Sequence, residues 1–175
     1  MEPQDYANVE TNLFPKVRAR FAIDGTLEPI DLMAILVWKA NRAKNMHIKR
    51  VGGPEAFCQN APKLGAALFN AKGNSERLKV ALGEPWRFRL PTATALLTVL
   101  FPDDFTIYDV RVCEFIPGFD GLANRRYSEE LYVRYTQFKE AVRSAAPCAQ
   151  TLREADQYLW GLSWIRNTED TLRTT

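Results

Sequence analysis

The chain has 175 residues, of which 46% are hydrophobic and 25% charged, with a net charge of +2 and a pI near 8.4. That length fits one domain, 1–175, burying roughly two thirds of its unfolded surface, and the even charge balance does not by itself establish a nucleic-acid partner. No run approaches the roughly 18 apolar residues of a membrane span and no basic-then-apolar leader opens the chain, so a cytoplasmic protein is expected, with no membrane association.

The first predicted helix covers 12–21, with Leu13, Val17 and Phe21 at four-residue steps and Pro15 suited to a first turn. Pro29 opens a second helix through about residue 43. Asp31 lies in its first turn, where negative charge opposes the backbone dipole, and Leu32, Ile35, Leu36 and Trp38 are its apolar residues. A basic cluster follows: Lys39, Arg42, Lys44, Lys49 and Arg50. Gly52, Gly53 and Pro54 break the chain before a short helical region over about 54–69. Asn74 or Ser75 then caps a helix over 76–82, stopped by Gly83 and Pro85.

Pro91 sits where a first-turn proline belongs. Leu90, Ala93, Leu96, Leu97, Leu100 and Phe101 repeat at helical spacing, which makes this element the expected central buried helix. The segment 105–113 is rich in strand-favouring residues, yet a turn through 106–109 feeding a helix toward Ile116 fits as well. After a glycine-containing loop over 117–124, Ser128 starts a helix with Leu131, Tyr135, Phe138 and Val142 on one face. Thr151 and Glu154 form the capping pair of a last helix bearing Leu152, Ala155, Leu159 and Leu162, and residues 165–175 read as a frayed tail. The fold class expected is therefore all-α, a compact single-domain bundle of seven or eight helices.

Cys58, Cys113 and Cys148 are far apart and without Cys-x-x-Cys spacing, and are read as buried thiols. The single histidine, His47, has no ligand or nucleophile motif near it, so neither a metal site nor a cofactor is expected. Any catalysis then falls to carboxylates and aromatics. The conspicuous carboxylate is Asp109, set in an apolar stretch directly after the central helix, where it either caps a backbone turn or is held partly desolvated to act on a substrate.

The order of a short helix, a hairpin, an apolar helix, a short loop and Ile107-Tyr108-Asp109-Val110-Arg111 resembles the helix-hairpin-helix DNA glycosylase superfamily, in particular the small bacterial relatives of 8-oxoguanine glycosylase. The matching residues are Pro91-Thr92-Ala93-Thr94-Ala95-Leu96-Leu97 and then 105–112, with Asp109 at the family's catalytic aspartate. Leu36-Val37-Trp38-Lys39 near the start is similar too, as are Leu152-Arg153-Glu154-Ala155-Asp156 and Leu159-Trp160 near the end. Two departures stand out. The family's hairpin carries glycines that let backbone amides approach a DNA phosphate, whereas this chain reads Pro85-Trp86-Arg87-Phe88-Arg89-Leu90. Bifunctional members place a lysine nucleophile near the start of the following helix, where this chain has Pro91, Thr92 and Ala93, so no Schiff-base mechanism is expected at that position.

The resemblance implies a monofunctional N-glycosylase acting in base excision. In it Asp109 stabilises positive charge on the sugar and orients the attacking water. A flipped base needs aromatic walls, for which Trp38, Trp86, Phe88 and Trp160 are candidates, and Trp38 and Trp160 fit core positions equally well. Arg87, Arg89, Arg111, Lys39 and Arg42 are the candidate nucleic-acid contacts; Arg111 fits an acid or a phosphate as partner, and the other four also read as solvated surface charges. The expected partner is DNA or a modified nucleoside. The alternative is a catalytically inert derivative that keeps the fold to bind nucleic acid or a protein partner, since related small domains occur in bacterial DNA-processing and phage-defence gene sets.

Overall fold

The computed structural model describes residues 1–173. Two short turns, a 3-10 turn at Pro3–Tyr6 and a π-type turn at Val9–Leu13, lead into α1 (Phe14–Asp24). Then come α2 (Pro29–Ala40), α3 (Lys44–Arg50), α4 (Pro54–Asn70), α5 (Asn74–Leu82), α6 (Leu90–Leu100), the single turn α7 (Val110–Cys113), α8 (Glu129–Ala145) and α9 (Leu152–Arg173). The described residues contain no strand.

The helix α6 is the axis of the molecule, and all of its residues except Pro91 and Thr92 are buried. Two of the buried residues are threonines, whose hydroxyls would be costly to leave unpaired. They donate back along the helix, Thr94 to the Leu90 carbonyl at 2.8 Å and Thr98 to the Thr94 carbonyl at 2.7 Å. α1, α2 and α5 pack against α6, while α8 and α7 pack against α9. The expected face of α8 is buried, Leu131, Tyr135, Phe138 and Val142, and Ser128 caps it by accepting the Leu131 amide at 3.1 Å.

Several expectations are corrected. The predicted helix over 29–43 breaks at Ala40, where a 3-10 turn, Asn41–Ala43, re-aims the chain into α3. The short helical region after Pro54 is a full helix of 17 residues that carries Pro62 inside it. Gly73 rather than Asn74 or Ser75 occupies the N-cap of α5; the Ser75 hydroxyl is engaged with that of Tyr127 at 2.6 Å. The stretch over 105–109 forms no regular secondary structure, and Asp109, itself extended, then caps α7, so the turn-plus-helix alternative describes it better. The Thr151 and Glu154 capping pair is reciprocal as expected. α9 continues through 165–173, the part read as frayed; residues 174–175 lie outside the described residues.

α4 crosses the turn after α1 at Gly65. A Cβ there would meet the Gly25 carbonyl oxygen at 2.5 Å and the Leu27 Cβ at 2.8 Å. Gly25 ends α1 in the left-handed region at φ 78°, its amide returning to the Phe21 carbonyl. Two glycines therefore set how closely the first and fourth helices approach.

Candidate functional site

Outside any helix or strand, the segment before Asp109 must satisfy its amides by other means. Three consecutive ones do so through side chains. The Thr106 amide donates to the Tyr135 hydroxyl at 3.1 Å, and that hydroxyl donates to the Thr106 carbonyl at 2.6 Å. The Ile107 amide donates to Asp156 Oδ2 at 3.2 Å, and the Tyr108 amide to Thr94 Oγ1 at 3.0 Å. Helices α6, α8 and α9 each contribute one of these acceptors, so Asp109 leaves a segment pinned to three elements.

Asp109 caps the turn and is also partly desolvated. Its Oδ1 accepts the Arg111 amide at 3.0 Å as the N-cap of α7, and its Oδ2 accepts the Lys39 ammonium at 2.6 Å. The side chain keeps 20% of its exposure, because it opens onto a cleft of about 560 Å³. Trp38 and Lys39 come to this cleft from α2, Asp109 and Val112 from the α7 turn, Arg153, Asp156 and Trp160 from α9, and Glu10 from the N-terminal turn.

Two indoles line the cleft. Trp38 meets the Phe14 ring edge-on at 5.0 Å and carries the Arg153 guanidinium 5.3 Å from its centroid. Trp160, read as a possible core residue, is 41% exposed, with Arg111 over its ring at 5.0 Å. Arg153 is held between Glu10, at 2.6 Å, and Asp156. Burial drives the Asp156 carboxyl above the usual carboxylate range, and this outweighs Arg153 and the Thr106 and Ile107 hydrogen bonds, which favour its ionised form. With two cations facing three acids, the cleft suits an uncharged ring with polar edges better than a phosphate.

Of the residues expected at the site, the structure brings together Asp109, Lys39, Trp38 and Trp160, with Arg111 beside them. It separates the rest. Trp86 and Phe88 are corrected as stacking candidates, since they are 2% and 3% exposed and pack on each other, with Trp86 against Phe57 and Phe88 against His47. Arg87 and Arg89 line a second cleft, and Arg42 is exposed and lines neither. Sequence reasoning missed Glu10, Arg153, Asp156 and Gln157. The last three share one face of α9 with Trp160 at steps of three, one and three, which is helical spacing for a polar stripe.

Cys113 is buried as expected, and burial pushes its thiol up to about 11, which removes it as a nucleophile. Cys58 and Cys148 are exposed, a correction to the reading of three buried thiols. His47 is buried with neither ring nitrogen partnered. Among the described residues no group of three or more His, Cys, Asp or Glu is arranged to hold a metal ion, and no helix is long and apolar enough to cross a membrane. Comparison with models of protein families, with curated proteins and with solved structures gives no match.

Proposed function

We propose that the protein cleaves an N-glycosidic bond, taking a nucleobase into the Trp38 and Trp160 cleft and presenting Asp109 to the anomeric carbon. One observation carries this reading: a carboxylate fixed by backbone and ammonium opens onto an indole-lined hollow wide enough to admit a nucleobase. The succession of apolar helix, irregular segment and helix-capping aspartate also supports the likeness to the helix-hairpin-helix glycosylases proposed from the sequence. As the base departs, positive charge builds on the sugar. A carboxylate fixed beforehand stabilises that charge without reorganising, and it also orients the attacking water. Arg153 and Gln157 line the same hollow, their side-chain N–H groups turned to Glu10 and Asp156, and the indoles supply the stacking surface of the base.

The Lys39 contact at 2.6 Å favours a second reading of the same site. The lysine absent from the start of α6 stands beside Asp109, contributed by α2. In this route Asp109 takes a proton from the ammonium and the free amine attacks the anomeric carbon. The bond to the base breaks, and Asp109 passes the proton it took to the departing base. One proton of the new C1′–N ammonium moves to the ring oxygen as the sugar opens to an iminium linkage.

Base release from damaged duplex and single-stranded oligonucleotides tests both readings, run with and without borohydride. Release that depends on Asp109 without trapped adduct supports hydrolysis. An adduct that disappears in Lys39→Gln supports the covalent route. Binding without release from any substrate leaves the module as a nucleic-acid or protein binder.

A further inference from the structure

The second cleft, of about 440 Å³, is lined by five arginines from three segments: Arg50 at the end of α3, Arg87 and Arg89 before α6, and Arg125 and Arg126 before α8. Glu84 is the acid on its wall. The segments are tied to each other. Arg50 donates to the Arg87 carbonyl at 2.9 Å, and the Leu90 amide donates to the Ala123 carbonyl at 3.1 Å. Arg87 holds φ 42°, a left-handed conformation that disfavours a side chain, yet an arginine occupies it.

The arginines divide by commitment. Arg87 pairs with Glu84, Arg125 with Glu130, and Arg50 is spent on the Arg87 carbonyl. The side chains of Arg89 and Arg126 have no hydrogen-bond or ion-pair partner among the described residues, and both are exposed at the cleft. Two uncommitted guanidinium forks match a dianionic group. A phosphate monoester carries about −1.5 to −2 charges at neutral pH and three acceptor oxygens, whereas each phosphodiester of a passing strand carries a single charge. A concave pocket also surrounds an end group more closely than a chain running through it.

We propose that this arginine cleft binds a phosphate monoester, through Arg89 and Arg126, with Arg50, Arg87 and Arg125 holding its walls. Two sources share that chemistry: the phosphorylated end of an oligonucleotide and a free mononucleotide. The proposal stands apart from the base-excision reading, because it concerns other residues and is measured by binding alone.

The test uses the full chain and one short single-stranded oligonucleotide in three versions, with a 5′-phosphate, with a 3′-phosphate, and with hydroxyls at both ends. Fluorescence anisotropy is the readout. A version with a terminal phosphate is expected to bind roughly tenfold tighter than the hydroxyl version, the scale of hydrogen bonds to a charged group. That gain should vanish in Arg89→Glu/Arg126→Glu with its helical circular dichroism unchanged. If the three versions bind alike while a nucleoside monophosphate binds and its nucleoside does not, the ligand is the free nucleotide. Should phosphate add nothing in either arm, or should the gain survive the double substitution, the proposal is overturned.

Discussion

The Tyr108 amide donates to the Thr94 hydroxyl at 3.0 Å, and that hydroxyl in turn donates to the Leu90 carbonyl at 2.8 Å. Asp109 is thereby tied, through the residue before it, to the first turn of the buried axis helix. Leu90 is linked on its other side to Ala123, whose following residues line the arginine cleft. Both candidate sites therefore lie at the same end of α6, joined through three hydrogen bonds.

Asp109→Asn is expected to lower base release by about 100-fold or more, the scale found when one preorganised electrostatic group is removed from a transition state. Asparagine caps a helix about as well as aspartate, but Lys39 and Asp109 are only 15% and 20% exposed, so the change leaves a largely buried ammonium without its counter-ion. Stability should then fall by roughly 1–3 kcal/mol. Equal product from wild type and variant removes Asp109 from the chemistry, and an unfolded variant would show up by calorimetry.

Trp160→Ala separates binding from folding, because that ring is 41% exposed. Stacking one base on an aromatic ring contributes about 1–3 kcal/mol, so oligonucleotide or nucleoside affinity should fall by roughly fivefold to a hundredfold at an unchanged unfolding temperature. An unaltered dissociation constant would show that no base rests on this indole.

Tyr135→Phe removes the hydroxyl that serves both backbone groups of Thr106. Two buried polar groups lose their partner, a cost of about 1–3 kcal/mol each in denaturant unfolding. Because Thr106 lies three residues before Asp109, base release should also drop further than the residual folded fraction explains.

His47 gives a pH prediction. Burial, with Arg50 nearby, pushes its pKa below the usual value, so the fold holds it neutral while the unfolded chain takes a proton near pH 6.5. Below that pH the unfolded state binds more protons, and the stability held at pH 7 declines as the solution is acidified toward the folded value. His47→Leu should flatten this part of the curve. Parallel stability curves for the two proteins between pH 7 and 5 would contradict it.

Gly65→Ala tests the helix crossing. The new methyl meets backbone oxygen and a buried leucine, so overpacking should cost about 1–3 kcal/mol. A neutral result would mean that α4 can slide away from the Gly25 turn.

Helix existence was largely legible in the sequence because the apolar periods of α1, α6 and α8 are long and regular, and their proline and serine starts carry a defined physical role. Asp109 was legible for the opposite reason, as one charge in an apolar stretch. Trp86 and Phe88 misled because they alternate with arginines. That same alternation sends the two rings to one side and Arg87 and Arg89 to the other, and the rings took the core. The partners of Asp109 were harder to find. Lys39 lies 70 residues away and Glu10 meets Arg153 across 143, separations that no local pattern encodes.

The contact between Glu10 and Arg153 bears on how the protein is made. A chain emerging from the ribosome can complete its axis helix and set Lys39 against Asp109 while α9 is still in the exit tunnel. The hollow then lacks the wall that carries Arg153, Asp156 and Trp160. A chain lacking residues 152–173 should therefore hold no base, because its hollow has lost that wall.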